Sequence, residues 1–159
     1  MIFDSFIDEL EKIAGSRLRR ALSVVKSKTT SEYRILLNSK QIGQVPVGPI
    51  RDSTGPLTSI EMSSHIDPKY RGLRIYPKVL GEILKKEERL ASGGVLSGSA
   101  ERQWSRFSKN NPGVVIRNPR AETIEYPTHL RKGRGPVYRV SSGDGEPVFI
   151  ATKPKVWTR

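Results

Sequence analysis

The sequence predicts an α+β domain, a three-layer α/β/α arrangement with a mixed, mainly antiparallel sheet flanked by helices. Three observations predict it. Apolar residues recur every three or four positions in some stretches and alternate with polar residues in others. The two patterns follow one another as helix, hairpin, strand, helix, strand, helix, then strands. The chain has 159 residues, enough for one core and too few for two.

Ile2, Phe3, Phe6, Ile7, Leu10, Ile13 and Ala14 place one apolar face on an N-terminal amphipathic helix, and Gly15 is a natural stop. That face needs a cover, either its own domain or another protein. Residues 16–28 are basic (Arg17, Arg19, Arg20, Lys26, Lys28) and read as a helix continuation or a connector. The expected organisation is a helix and connector over 1–28 and a domain over 29–159. Tyr33, Ile35 and Leu37 then alternate as a strand, Asn38-Ser39-Lys40 turns the chain, and Ile42, Val45 and Val47 return. Pro46 and Pro49 suggest an edge strand or an early end. Arg51 to Pro56 is a loop by composition. Leu57 to Ile66 reads as one strand.

Pro68 to Gly72 reads as a turn into a helix from about Tyr76 to Ala91, with Pro77 in its first turn. Ile75, Val79, Leu80, Ile83, Leu84 and Leu90 would line its inner face, with Lys85 to Arg89 in water and Gly93-Gly94 ending it. Val95 and Leu96 start a short strand. Ser99 is the expected N-cap of a helix to about Lys109 that buries Ala100, Trp104 and Phe107. Val114 to Ile116, Val137 to Val140 and Val148 to Ala151 are the last strands, the final two joined through Ser142-Gly143-Asp144-Gly145 as a hairpin.

Composition narrows the function. No apolar run approaches the roughly 20 residues that cross a bilayer, so no membrane partner is expected. No secretory pattern opens the chain. Without cysteine there is no disulfide, thiolate metal site or cysteine nucleophile. His65 and His129 have no ligand partner at metal spacing, so no metal is expected. A formal charge of +12 favours anionic partners. Residues 1–14 are net −3, so the remainder carries +15, spread without a long basic block. A nucleic-acid-binding module is one functional class this allows.

The segment His65-Ile66-Asp67-Pro68-Lys69-Tyr70-Arg71-Gly72-Leu73-Arg74-Ile75-Tyr76 lies between a strand and a helix. A tight turn feeding a helix start exposes several backbone N–H groups, and the helix dipole adds to their attraction for phosphate. Arg71 and Arg74 would add charge-assisted contacts to a pyrophosphate. A basic strand-turn-helix is also a common structural element with no ligand.

This segment resembles the signature of the GNAT superfamily of N-acetyltransferases, a proline-containing turn followed by Arg-Gly-x-Gly-x-Gly/Ala and an amphipathic helix. Gly94 to Phe107 resembles the strand and helix that follow it, most closely in acetyltransferase-like proteins of tailed bacteriophages. The resemblance spans about residues 57–116. It implies acetyl-CoA as cofactor, held by Met62, Ile66, Arg71, Gly72, Leu73, Arg74, Ile75 and Tyr76, with backbone N–H groups of Met62 and Ile66 at the thioester. It implies direct transfer to an amine, for which Glu61 and His65 are the candidate bases. Each has a plain alternative as a solvated strand side chain. Arg74 stands where the family has glycine, Tyr76 where it has a small residue, and Trp104 where many members have a proton-donating tyrosine. An indole N–H is no useful acid. The resemblance thus implies either a phage-encoded acetyltransferase in the bacterial cytoplasm, or a GNAT fold without turnover. The latter would be a virion or host-interaction component attached through the N-terminal helix.

Overall fold

Alternating apolar residues fold as a meander of three antiparallel strands, β1 (Leu22–Lys26), β2 (Glu32–Leu37) and β3 (Lys40–Asp52). Leu22, Val24, Tyr33, Ile35, Ile42, Val45 and Val47 are among its buried positions. Asn38 and Ser39, at φ of 48° and 68°, form the two-residue connection that suits the twist of the paired strands. The structure is a computed structural model and describes residues 13–52, 54–60, 64–119, 121–124, 137–140 and 146–155.

Of the two readings of residues 16–28, helix continuation holds for 16–20, and the rest is not a connector. Residues 13–20 are helical (α1) and β1 is hydrogen-bonded to β2, so a boundary after residue 28 would cut a strand from its sheet. The helix runs through Gly15, and a Cβ there would stand 3.0 Å from the Arg19 guanidinium. Residues 1–12, with most of the expected amphipathic face, lie outside the described residues.

β3 is neither an edge nor cut short; it runs through both prolines. Up to Pro46 it pairs with β2, and from Val47 with β4 (Gly55–Ile60). The Val47 N–H donates to Ser31 O at 2.9 Å, on the β2 side. Alternation then turns the Pro46 nitrogen to the other side, into the gap between the strands that pair at Gln44 and at Val47. The Pro49 nitrogen faces the β2 side beyond the end of that strand. Neither proline removes a ladder bond.

The strand expected over Leu57 to Ile66 is two. β4 stops at Ile60, and β5 (His65–Ile66) pairs instead with β3 at Gln44 and Gly43. Glycine at 43 is required, because a Cβ there would sit 2.5 Å from His65 O. The expected loop at Arg51 to Pro56 is mostly strand, a tight β3–β4 hairpin. Its corner is held by Asp52 Oδ1, which accepts from Thr54 N (2.8 Å), Thr54 Oγ1 (2.8 Å) and Gly55 N (3.0 Å).

After a short 3-10 turn (Pro68–Tyr70), α2 spans Ile75–Leu84 and buries Ile75, Val79, Leu80, Ile83 and Leu84. It ends seven residues before the expected terminus, and Arg89–Ala91 is strand β6, parallel to β4. A buried leucine after a polar run fits helical and strand spacing equally well, and tertiary pairing decided for the strand. Glu87 and Arg89, expected in water, are paired. Glu87 accepts from the Tyr33 hydroxyl, from Lys26 Nζ (2.9 Å) and from Thr58 Oγ1 (3.0 Å). Arg89 grips Asp52 through two guanidinium nitrogens at 3.0 and 2.5 Å.

β7 (Val95–Ser97) leads into α3 (Gly98–Asn110). Its N-cap is Ser97, whose Oγ accepts from Ala100 N at 3.2 Å, and not Ser99. β8 (Val115–Arg117), β9 (Ala121–Ile124), β10 (Val137–Val140) and β11 (Phe149–Thr152) complete the chain. The expected hairpin between the last two does not form. β10 pairs with β7 and β9, whereas β11 pairs with β6 and β8. Ser142 to Gly145 lie outside the described residues.

The result is a mixed α+β fold whose mainly antiparallel sheet is flanked by helices. Its eight described strands run β1-β2-β3-β4-β6-β11-β8, with β5 on β3, and β7-β10-β9 form a second sheet. One apolar core joins the meander to α2 and α3. Its centre is Trp104, stacked on Phe149 at 5.8 Å and edge-on to Phe107 at 6.2 Å.

Candidate functional site

The sheet opens where β4 and β6 stop running together. They pair at Thr58–Leu90 and Ser59–Ala91, and at no later position among the described residues. From there the β4 chain turns to β3 as β5, and the β6 chain leaves for the second sheet as β7. The opening is a cleft of about 440 Å³. Ile60, Ser64, His65 and Ile66 line it from the β4–β5 segment, and Ser92, Gly93, Leu96 and Ser97 from the β6–β7 segment. The loop into α2 adds Tyr70, Arg71, Gly72, Arg74, Ile75 and Tyr76; α3 adds Ser99, Ala100, Gln103 and Trp104.

Backbone direction follows from the ladder. Asp67 N–H donates to Ile42 O at 2.8 Å, so it faces β3. Alternation then points the N–H and C=O of Ile66 away from β3. The Ile66 carbonyl accepts from Arg71 Nε at 2.9 Å, which fixes the arginine at the rim. Arg71 N–H itself closes the 3-10 turn on Pro68 O at 3.2 Å.

The next amides are unspent. Those of Gly72, Leu73, Arg74 and Ile75 donate to no acceptor among the described residues. The first turn of a helix always leaves such donors, and here no side chain caps them. Gly72 sits at φ 82°, the left-handed region glycine enters freely. Arg74, in the glycine position of the resemblance, also sits there, at φ 56° and ψ 34°. Holding a residue with a Cβ there costs roughly 1–2 kcal/mol. The arginine stands in a conformation that glycine adopts freely.

Arg71 and Arg74 are exposed and make no ion pair with a described residue. Leu73 packs on the core, and its carbonyl accepts from Arg19 Nη1 at 2.8 Å, so α1 straps the loop. Tyr76 shares a side-chain hydrogen bond with Ser64; burial pushes its phenol up to about 12, and the Ser64 bond opposes this only in part. His65 is half exposed, with Nε2 3.8 Å from Asp67 Oδ1. Ile66, Arg71, Gly72, Arg74, Ile75, Tyr76 and His65 therefore share one cleft. Glu61 and Met62 lie outside the described residues.

Sequence reading missed Gln103. Its Oε1 is buried, without a hydrogen-bond partner among the described residues, and the residue lines the cleft. The signal was present: Ser99, Ala100 and Gln103 share one face of α3 at helical spacing. The cleft is thus a slot between diverging strands, with unspent donors and two cations at one end and polar groups along its wall. It suits an extended ligand with an anionic head. Among the described residues no group of three metal-ligating side chains occurs.

No protein-family model matches the sequence, and no curated protein matches it. Solved structures similar to it include the following three. One is an acetyltransferase of the GNAT family from Streptococcus pneumoniae, 12% identical with a TM-score of 0.44 over 67% of this chain and 62% of that one. The chain thus spans less than two thirds of that protein's length. Another is the ribosomal-protein-S18-alanine N-acetyltransferase from Escherichia coli, 10% identical with a TM-score of 0.49 over 89% and 87% of the two chains. The third is Arabidopsis thaliana Naa50 in complex with the bisubstrate analogue CoA-Ac-MVNAL, 15% identical with a TM-score of 0.40 over 85% and 90%.

Proposed function

We propose that the cleft binds acetyl-CoA and that the protein is an acetyl-CoA-dependent N-acetyltransferase acting on an amine. The observation that carries this is the parting of β4 from β6 beside a loop whose successive amides are unspent. The Pro68 to Gly72 motif at that loop supplies the family expectation. Its residues fit such a cofactor: the diphosphate would rest on the amides of Gly72 to Ile75 with Arg71 and Arg74 beside it. The acyl-pantetheine arm would lie in the slot, where the outward Ile66 N–H and the unpartnered Gln103 Oε1 offer one donor and one acceptor.

An amine nitrogen would attack the thioester carbon, the C–S bond would break, and the sulfur would take one proton while the nitrogen loses one. This chemistry needs proximity, a donor for the carbonyl oxygen and routes for those protons. His65 or water can take the proton from nitrogen. Trp104 cannot supply the sulfur, and Tyr76, which lines the same cleft, is made a poorer acid by burial, so water supplies that proton. A second reading, a cleft that binds the cofactor without turnover, is favoured by Trp104 itself, which is 1% exposed and serves as core.

Titration calorimetry with acetyl-CoA tests the binding. The wild type should bind, and Arg71→Glu should weaken binding roughly 10- to 100-fold, since a charge-assisted bond is worth about 1.5–3 kcal/mol. A wild type that does not bind, or a variant that binds equally, overturns the assignment. Thiol release in the presence of a panel of amines separates turnover from binding alone.

A further inference from the structure

Helices α1, α2 and α3 enclose a second cleft, of about 540 Å³, and Arg74 forms part of the wall of both. Its charged lining is one-sided. Arg19, Arg74, Lys78, Lys85, Arg106 and Lys109 face a single acid, Glu82. Glu82 is already committed: it lies 2.9 Å from Lys85 Nζ and 3.5 Å from Lys78 Nζ. Arg74, Arg106 and Lys109 are exposed and make no ion pair with a described residue. Arg19 spends one nitrogen on Leu73 O and keeps its charge.

Four cations therefore stand uncompensated around one open trough, on a chain of net charge +12. Such a concentration of one sign repels itself and draws in anions. One phosphate would leave much of that charge unmet, whereas a strand with one charge per nucleotide can meet it. The trough offers little to a base. Its aromatic residue, Phe107, is 2% exposed and belongs to the core. Without a stacking platform, recognition falls on the sugar-phosphate chain and not on sequence.

We infer that the α1–α2–α3 cleft binds the phosphodiester backbone of a nucleic-acid strand without sequence preference. This site adjoins the slot between β4 and β6, sharing Arg74 with it, and does not depend on acetyl transfer.

The test is fluorescence anisotropy with labelled single-stranded oligonucleotides of several sequences across a salt series. Binding should be independent of sequence, and log K should fall against log salt with a slope of about −2.8 for four phosphate contacts. Arg106→Gln with Lys109→Gln should flatten that slope by about 1.4, two contacts' worth. Arg106→Glu with Lys109→Glu should weaken binding more than tenfold, with an unchanged melting temperature as the check on folding. Acetyl-CoA affinity, measured on the same variants, should change less than twofold. Absence of salt-dependent binding, or a slope untouched by the neutral pair, overturns the inference. If both pairs weaken acetyl-CoA as much as the oligonucleotide, the trough instead holds the nucleotide end of the cofactor, and the inference is equally overturned. Failure of acetyl-CoA to bind the wild type would leave the oligonucleotide measurements to stand by themselves.

Discussion

Two regions of the molecule treat polar groups in opposite ways. Beside β1, β2 and the β3–β4 hairpin, Glu87 gathers the Tyr33 hydroxyl, Lys26 and Thr58, and Arg89 forks onto Asp52, so these buried-side charges are paired. Burial works against charge on Glu87, yet these donors hold its carboxyl below the usual range. The Arg89 guanidinium, with Thr54, holds Asp52 well below it. At the cleft, four amides have no acceptor among the described residues, Arg74 is held in a left-handed conformation, and the Gln103 carbonyl is buried alone. One fold satisfies its polar groups where stability is set and leaves them open where a ligand can complete them.

The largest effect expected from breaking this contrast lies in the satisfied region. Glu87→Ala strips a partner from two hydroxyls and one ammonium, and should destabilise the protein by roughly 2–3 kcal/mol, because each lost hydrogen bond to a charged group is costly. Denaturant unfolding checks the size, and acetyl-CoA affinity should hold. The pH dependence has a definite sign. Glu87 has a depressed folded pKa, so its contribution is complete above the unfolded carboxylate value of about 4.3 and is lost as pH falls through the lower folded value. The stability gap between wild type and Glu87→Gln should be flat from neutral pH to about 5 and close below about 4. A gap that widens on acidification would contradict the network.

Gly43→Ala comes next and reaches from one region to the other. The new Cβ would lie 2.5 Å from His65 O and 3.1 Å from Ile66 Cα, both backbone contacts that no side-chain rotation relieves. β5 must shift, at roughly 1–2 kcal/mol for overpacking a tight site. Because β5 forms one wall of the slot and its Ile66 carbonyl anchors Arg71, acetyl-CoA affinity should fall with stability. A variant that loses stability and keeps full affinity would separate the wall from the site.

Legibility in the sequence follows the same division. The β2–β3 hairpin was readable because Tyr33, Ile35, Ile42 and Val45 alternate and Asn38-Ser39 is turn chemistry, whereas β1 lay hidden in a basic stretch that read as helix or connector. The turn at Pro68 to Gly72 and the start of α2 were readable because a proline, a glycine and a helical stripe coincide there. Leu90 misled, since one buried residue beyond a charged run satisfies both periods, and its partners Thr58 and Ala151, far away in sequence, decide for a strand. The split of Leu57 to Ile66 was hidden too. No local residue announces it; the β5 pairing requires a small residue at 43, on another strand. The β7–β10 pairing joins segments some forty residues apart and left no local mark. Candidate site residues were found where a motif exposes backbone, and missed at Gln103, whose meaning lies in an absent partner.

The smallest predicted effect is the sharpest on mechanism. Arg74→Gly removes a left-handed arginine from the N-cap of α2, a position where glycine is well tolerated. Relief of the φ penalty, about 1–2 kcal/mol, is partly offset by the unfolded-state freedom of glycine, about 0.5–1 kcal/mol, so a gain near 0.5–1 kcal/mol is expected. Acetyl-CoA affinity decides what the arginine is for. If the loop amides carry the diphosphate, affinity should fall no more than about tenfold, the worth of one exposed charge-assisted contact. A much larger loss would mean that the arginine side chain, and not the row of peptide donors behind it, is the anchor. In that case the strained conformation at residue 74 serves to aim a guanidinium and not to bring backbone close to phosphate.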